Sequence, residues 1–192
     1  MTDEEPDGDA VRFTALWEEH ADRVLRYARR HVPPEDAQEV VAETFLVAWR
    51  RLTDVPGSAL PWLLVVARNT IANHRRSGYR QALVDGELAR LEAVASSSAS
   101  AEVTAAERTA ALSRLAALSA TEREALLLIA WDGLTPGQAA QVAGCSVSAL
   151  HVRLFRARRR LRTAEDDEAR DPSPPARPPL LHPQPTTPRS AR

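Results

Sequence analysis

Apolar residues in the first half of the chain recur every three or four positions, which is the spacing of an amphipathic α-helix. One such stripe covers residues 13–28 and a second covers residues 37–52. Pro33 and Pro34 lie between the stripes, where adjacent prolines end one helix and start the next. The pattern therefore predicts two helices followed by a turn at 54–57, which contains Pro and Gly side by side.

A third amphipathic helix is predicted after that turn. Ser58 has the hydroxyl side chain typical of an N-cap, and Trp62, Val65 and Asn69 share one side of the helix that follows. The helix ends in an arginine-rich stretch at 75–80. The first 80 residues are thus predicted to form a small bundle of helices with a basic end.

The second half of the chain contains sequence signals for the start and the end of several helices. Residues 119–122 and 135–138 each have the sequence pattern of a capping box, and Gly133 and Gly144 follow as C-terminal stops. A long basic helix is then predicted over residues 147–161. Its buried stripe is predicted to consist of Leu150, Leu154, Ala157 and Leu161.

The segment from 135 to 161 has the spacing of a helix-turn-helix, with a short helix, a three-residue turn and a basic helix. Ala140 is small enough for the two helices to cross closely, Gly144 permits a positive φ in the turn, and Leu150 fills the angle between the helices. The first turns of the basic helix would then face a major groove of DNA. The alternative is a plain helical hairpin whose arginine face is only solvated.

Charge and composition divide the chain into five parts. All 25 basic residues are arginines; eleven of them, with eight acidic residues, lie at 11–80, and nine, with four acidic residues, lie at 107–163. The predicted fold is all-α, with two small helical domains at 11–80 and 107–163. They are flanked by an acidic N-terminal tail at 1–10, a flexible Ala/Ser-rich linker at 81–106 and a disordered Pro-rich C-terminal tail at 164–192.

Several classes of site are not predicted. The apolar runs are too short to span a bilayer, and the acidic N-terminus is no signal peptide, so the expected location is cytoplasmic. Cys145 is the only cysteine, which excludes an intramolecular disulfide. The five histidines are scattered and no Gly-rich phosphate loop is present, so we expect no catalytic site, no metal, no cofactor and no small-molecule substrate.

Two stretches resemble a known family. PEDAQEVVAETFLVAWR at 34–50, followed by WLLVVARN at 62–69, is similar to sigma domain 2, and SVSALHVRLFRARRRL at 146–161 is similar to the end of sigma domain 4. Together and in this order, they resemble the extracytoplasmic-function (ECF) sigma factors of bacterial RNA polymerase. The resemblance implies a protein that is not an enzyme but binds core polymerase and directs transcription from specific promoters.

The resemblance also implies partners and binding residues. The helix at 34–50 would dock on the clamp helices of the largest polymerase subunit, and the second domain would meet the flap; members of the family are often inhibited by an anti-sigma protein. The expected polymerase contacts are Glu39, Glu43, Val47 and Arg50. The alternative is that these are surface residues with no partner, and Phe45 and Trp49 are expected to belong to the core.

Promoter DNA would be read in two places. The loop at 53–60 and the helix after it match the part that captures the minus-ten element as a single strand, which requires a basic track and a base pocket. The expected minus-ten contacts are Trp62, Arg68, Asn69, Asn73, Arg75, Arg76 and Arg80. Trp62 has the alternative interpretation of a core residue, because it lies on the apolar side of its helix.

The basic helix would read the minus-thirty-five element. The expected contacts are Ser146, Ser148, Ala149, His151, Val152, Arg153, Arg156 and Arg159. At 148–151 this chain has Ser-Ala-Leu-His where the family usually has Gly-Thr-Val-Lys, and Phe155 replaces a usual histidine. These departures affect the promoter sequence that would be read rather than the fold.

Two other functions remain open at the level of sequence. One is a stand-alone helix-turn-helix regulator, which would be a dimer on a palindromic site and would not need polymerase. The other is a helical protein-interaction module, such as a decoy for an anti-sigma protein, that binds no DNA.

Overall fold

The structure, a computed structural model, describes residues 8–77 and 104–170, and every regular element within these ranges is helical. The all-α class is therefore confirmed for the described residues. The N-terminal bundle consists of α1 (Gly8–His31), α2 (Pro34–Arg50), a 3-10 helix (Leu52–Asp54) and α3 (Ala59–Ser77). The C-terminal bundle consists of α4 (Ala105–Ala116), α5 (Ala120–Ala130), α6 (Pro136–Ala143) and α7 (Val147–Arg170). None of these helices has a stretch long and apolar enough to cross a membrane.

Two helices extend past their predicted ends. Helix α1 already begins at Gly8, inside the predicted N-terminal tail, and α7 continues to Arg170 instead of ending near 161. No Gly or Pro interrupts the sequence between 162 and 171, so nothing local stops α7 before Pro172. Most of the predicted linker and tail lies outside the described residues, and the division into domains stays a prediction.

Aromatic rings fix how α1 packs on α2. Phe45 of α2 is buried and packs in an edge-to-face manner with Phe13 and Trp17 of α1, at ring-centroid distances of 6.2 and 4.6 Å. Trp49 contacts Phe13 in the same edge-to-face manner at 5.1 Å. Such edge-to-face pairs add specific geometry to apolar burial. Leu63 and Leu64 of α3 are fully buried and close the N-terminal bundle.

The C-terminal bundle confirms the predicted helix signals. Ser119 and Thr135 each accept a hydrogen bond from the backbone of the third residue beyond them, Glu122 and Gln138, whose side chains accept in return from the cap backbone. Thr104 caps α4 in the same way, a capping box that the sequence analysis did not predict. The predicted stripe of α7 is inside, with Leu150, Leu154 and Ala157 buried and Leu161 half-buried.

The two bundles pack directly against each other. Helix α3 lies against α6, and their buried side chains, Leu63 and Ala67 on one side and Ala139 and Ala140 on the other, belong to one continuous apolar core. The small alanines of α6 let the backbones approach closely. The domain contact was not predicted from the sequence, which suggested only two units joined by a linker.

A buried ion pair crosses the same contact. The Arg30 guanidinium of α1 donates to both carboxylate oxygens of Asp132, at 2.5 and 3.3 Å, and the two side chains are only 3% and 5% exposed. Arg23 donates to the backbone carbonyl of Asp132, and Arg30 also lies 5.3 Å from the ring centroid of Tyr27. Removing one partner of such a pair costs about 3–5 kcal/mol, because the other charge stays buried alone.

The turn between α6 and α7 depends on a left-handed residue. Gly144 has φ +62°, and a Cβ there would come within 2.7 Å of the Arg68 guanidinium. We expect Gly144→Ala to lower the free energy of unfolding by about 1–2 kcal/mol, since a Cβ is disfavoured in this conformation. Urea denaturation followed by circular dichroism measures the change.

Gly137→Ala is the matched control, because Gly137 lies within α6 with nothing within 4 Å of its added Cβ. It should leave the stability unchanged or raise it. Equal losses for the two variants would contradict this account of the turn.

Candidate nucleic-acid interface

The start of α7 is set by local hydrogen bonds in the turn. The Cys145 amide donates to the carbonyl of Ala140 at 3.0 Å, and the Gly144 amide donates to the end of α6 as well. Ser146 then accepts a hydrogen bond from the backbone amide of Ala149 at 3.1 Å. The hydroxyl of Ser146, expected to contact DNA, is thus engaged in capping α7, although the residue remains at the surface.

The outer face of α7 carries most of the residues predicted to contact the minus-thirty-five element. Ser148, His151, Val152, Arg156 and Arg159 are exposed, whereas Ala149 and Arg153 are half-buried. Phe155 was not among the predicted contacts, yet it is 60% exposed on the same side as Val152. The position of this large apolar residue among exposed arginines is the signal that makes Phe155 a further candidate for contact with DNA. This face combines cationic, hydroxyl and apolar groups, the side-chain types that read base edges and phosphates.

Glu122 ties α7 to the start of α5. Its carboxylate accepts from the Ser119 backbone at 3.0 Å and from Arg160 of α7 at 2.9 Å. The Ser119 amide, supported by the Arg160 and Arg156 charges, holds the pKa of Glu122 below its ordinary value. A charged Glu122 therefore fixes the basic helix against the rest of the bundle.

Helix α3 presents polar groups next to the loop at 53–60. Arg68, Asn69 and Asn73 are exposed, as a strand-binding role requires. Trp62 is half-buried and packs against the core, which favours the structural interpretation of this residue. Arg75 and Arg76 lie on the last turn of α3, and Arg80 falls outside the described residues.

A cavity of about 200 Å³ lies on the other side of the loop, between α1 and residues 52–59. Arg12 spans it, donating to the carbonyl of Val55 at 3.0 Å and so holding the loop to α1. The buried His20 lines its wall, and burial lowers the pKa of that imidazole. None of the predicted minus-ten contacts lines this cavity, so the strand-binding face and the cavity are separate features.

The predicted polymerase face of α2 is partly polar and partly apolar. Glu39 and Arg50 are exposed and Val47 is half-buried. Leu46 is 47% exposed and Trp49 is 45% exposed, so the expectation that Trp49 belongs to the core is wrong, whereas Phe45 is buried as expected. These two large apolar side chains were missed as surface residues because the helical stripe alone does not show which of its edges remains uncovered.

One histidine of α3 contacts a carboxylate on this face of α2. His74 lies with its Nε2 3.1 Å from a carboxylate oxygen of Glu43. Within the ranges that the structure describes, Glu39, Glu43 and His74 bring one possible metal-binding atom each within 4.8 Å of one another. Spacing along the sequence did not reveal this group, since His74 is 31 residues from Glu43.

Protonation of Glu122 should loosen the C-terminal bundle. A lowered pKa in the folded state adds stability at pH values above the unfolded pKa, near 4.5, and that stability disappears as the pH falls through the folded pKa. We expect the wild-type chain to lose more unfolding free energy than Glu122→Gln between about pH 5.5 and about pH 3. Urea denaturation at each pH measures the difference.

Glu18→Gln is the control, because it removes an exposed carboxylate of α1 that lies outside the capping boxes. Its pH profile should run parallel to that of the wild type. A parallel profile for Glu122→Gln too would contradict the role assigned to this carboxylate.

Two family models match separate parts of the chain. The model for sigma-70 region 2 matches residues 16–81, which include α2 and α3. The model for sigma-70 region 4 matches residues 108–161, which include the helix-turn-helix. The two regions occur in the order that the sequence motifs indicated.

Individual proteins show the same relationship. The chain is 29% identical over 168 residues to the ECF RNA polymerase sigma factor BldN of Streptomyces coelicolor, covering 85% of this chain and 64% of the relative. It is 33% identical over 159 residues to the ECF RNA polymerase sigma factor SigL of Mycobacterium tuberculosis, covering 80% of this chain and 89% of the relative.

A solved structure, that of CnrH in complex with the cytosolic domain of CnrY, matches 81% of this chain and 88% of its own with a TM-score of 0.53 and 29% identity. The similarity thus extends through both helical bundles, in sequence and in fold. On these grounds the chain belongs to the ECF RNA polymerase sigma factors of the sigma-70 family.

Proposed function

We propose that the chain binds core RNA polymerase and directs transcription initiation at specific promoters. The observation that carries the proposal is the presence of two different surfaces in one chain. One is an exposed polar and apolar face on α2, and the other is a helix-turn-helix whose second helix presents an arginine-rich outer face. The chemistry of RNA synthesis belongs to the polymerase, and the proposed activity takes place in the cytoplasm.

The helix-turn-helix supports readout of a minus-thirty-five element in duplex DNA. A major groove is about 12 Å wide and admits an α-helix, whose first turns then face the base edges. In α7 these turns carry Ser148, His151 and Val152. Arg156 and Arg159 follow on the same face, where guanidinium groups can bind guanine edges or phosphates. His151 and Phe155 give this chain a different groove-facing chemistry from the usual family pattern.

Helix α3 supports capture of the minus-ten element as a single strand. The exposed Arg68 supplies a charge for the strand backbone, and Asn69 and Asn73 supply amide groups that can pair with an unstacked base. We extend this track to Arg75, Arg76 and Arg80 from their positions in the sequence. Trp62 is assigned a supporting role beneath the track, because it packs on the core.

The face of α2 supports docking on the clamp helices of the largest polymerase subunit. Leu46 and Trp49 provide exposed apolar area, and tryptophan is enriched among the residues that dominate binding energy at interfaces. Glu39, Glu43 and Arg50 surround them with charge, which favours a partner of complementary pattern. The C-terminal bundle would meet the polymerase flap. The same surfaces are available to an anti-sigma protein, and a relative, CnrH, forms a complex with the cytosolic domain of CnrY.

A stand-alone regulator explains fewer of these features. Such a protein needs the helix-turn-helix but has no use for an N-terminal bundle that matches sigma-70 region 2 over residues 16–81. A protein-interaction decoy needs neither the arginines on the outer face of α7 nor salt-dependent binding to DNA. The sigma-factor function accounts for both bundles.

Run-off transcription tests the function directly. Purified core polymerase and a template carrying the region upstream of this chain's own gene should yield a discrete transcript only when the chain is added. The chain should also co-elute with core polymerase in size-exclusion chromatography. No transcript together with no co-elution would contradict the proposal and leave an ordinary DNA-binding regulator.

Arg156→Ala tests the minus-thirty-five assignment. Loss of a base-edge contact costs about 1–3 kcal/mol, so we expect the transcript yield at limiting sigma to fall roughly 5- to 150-fold on a template with the native upstream element. Arg158→Ala removes the same charge from a different side of α7 and should stay within about two-fold of the wild type. Equal effects of the two substitutions would show that only net charge matters.

A further inference from the structure

Three side chains with metal-binding atoms meet at the edge of the N-terminal bundle, where α2 packs against α3. Glu39 and Glu43 belong to α2, and His74 belongs to the last part of α3. Each offers one ligand atom, and the three atoms lie within 4.8 Å of one another. These residues, hereafter the cluster, combine two carboxylates and one imidazole from two different helices.

The fold brings these groups together, although the scattered histidines gave no sign of a metal site in the sequence. Glu39 and Glu43 are four residues apart on a helix, so their side chains leave the same face one turn from each other. Val40 beside them is fully buried. Ile71, one turn before His74 on α3, is 4% exposed. The cluster therefore lies on the rim of a packed core, which holds both helices in place.

The spacing of the donor atoms fits a first-row transition cation. Zn²⁺ binds imidazole nitrogen and carboxylate oxygen at about 2.0–2.2 Å, so two ligands of a tetrahedral site lie about 3.4 Å apart. The 3.1 Å between a Glu43 oxygen and His74 Nε2 is close to that value. Glu39 is exposed, and rotation about its side-chain bonds can close the remaining distance.

The donor set favours zinc over the alkaline-earth cations. Mg²⁺ and Ca²⁺ prefer oxygen ligands, whereas an imidazole nitrogen is a preferred ligand of Zn²⁺. Two carboxylates by themselves would be an acidic surface and nothing more. The imidazole, which a second helix holds against one of them, is the feature that points to zinc. Three protein ligands leave one position of the tetrahedron for water or for a donor from a partner.

A cation can reach the cluster directly from solvent. Glu39 is exposed, and the side chains of Glu43 and His74 are 46% and 22% exposed. An ion can therefore enter without the movement of any helix. The partial burial of His74 keeps water from one side of the site, and lower solvent exposure strengthens the attraction between a cation and the carboxylates.

The alternative is a hydrogen bond without a metal. Glu43 and His74 would then form a surface pair, and Glu39 would be a solvated carboxylate that contributes nothing to it. The two interpretations differ in what Glu39 does, because only a shared cation couples it to His74. Removal of the Glu39 charge therefore separates them.

We propose that Glu39, Glu43 and His74 bind one Zn²⁺ ion that bridges α2 and α3. Both glutamates are also assigned to the polymerase face, so a bound ion occupies their carboxylates and neutralises their charge. Resting on the proposed function, zinc at this site weakens docking on core polymerase. The site thereby couples the availability of zinc to transcription.

Isothermal titration calorimetry of the full-length chain with zinc chloride tests the site. All chains carry Cys145→Ala, which removes the only thiol. We expect one zinc ion per wild-type chain and an affinity at least about ten-fold lower in His74→Gln. His151→Gln is the matched control, because it removes an exposed histidine of α7 in the other bundle, and it should bind zinc as the wild type does. A large excess of Mg²⁺ should not displace the zinc.

Glu39→Gln provides a second variant that leaves the contact between Glu43 and His74 in place. It should also lower the zinc affinity by at least about ten-fold. Glu18→Gln makes the same change at an exposed position of α1 and should not. Thermal unfolding followed by circular dichroism gives an independent readout. Zinc should raise the Tm of the wild type by several degrees and leave that of Glu39→Gln nearly unchanged, because a ligand stabilises only the fold that binds it.

Two results would overturn the site. One is a folded wild-type chain that binds no zinc. The other is zinc binding that is equally tight in the wild type, His74→Gln and Glu39→Gln, which would place the ion elsewhere on the chain. A loss in His74→Gln alone would also count against the site, because the shared cation requires Glu39.

Size-exclusion chromatography with core polymerase, with and without zinc, tests the consequence for docking. Zinc should lower the amount of wild-type chain that co-elutes and should have no such effect on His74→Gln, which controls for any action of zinc on the polymerase. Unchanged co-elution of a zinc-loaded wild type would overturn the effect on docking and leave the site in place. If no chain co-elutes even without zinc, the proposed function fails, and the calorimetry of the free chain still decides the site.

Discussion

The buried pair of Arg30 and Asp132 is the constraint on which the arrangement of this protein depends. A buried ion pair adds little net stability compared with apolar residues of the same size. Removing either partner is nevertheless strongly destabilising, because the other charge stays buried without compensation. The contact between α3 and α6 buries apolar surface, but the hydrophobic effect is non-directional and does not by itself fix how the two helices are oriented. The pair therefore selects one arrangement of the two bundles out of the many that apolar surfaces alone would accept.

The functional surfaces take their positions from that arrangement. Helix α3 lies against α6, so Arg68 rests on the helix-turn-helix, while the outer face of α7 and the α2 face around Trp49 remain exposed. Each bundle holds its own surface rigidly, by aromatic packing in one and by capping boxes in the other. The surfaces proposed to bind polymerase and DNA are therefore preformed on rigid helices.

Local features of the fold were predictable from the sequence and non-local ones were not. The helical stripes, the capping boxes at Ser119 and Thr135 and the left-handed Gly144 depend on neighbours within four residues, so their signals are visible in the chain. Arg30 lies in a basic run and Asp132 stands alone, and nothing in their spacing indicates that they meet across 102 residues. The pairing of His74 with Glu43 was missed for the same reason. The candidate DNA contacts were found from motif and resemblance, whereas Phe155 required knowledge of which side of α7 is exposed.

The central claim is that the buried pair of Arg30 and Asp132 holds the two bundles together in the free chain. Donor and acceptor dyes at Glu35→Cys and Arg158→Cys, both exposed positions, report their distance in a Cys145→Ala background. The account predicts high energy-transfer efficiency for the free chain and a clear drop in Asp132→Asn, which leaves the Arg30 charge buried without its partner. Low efficiency in the free chain, or the same efficiency in Asp132→Asn, would contradict it.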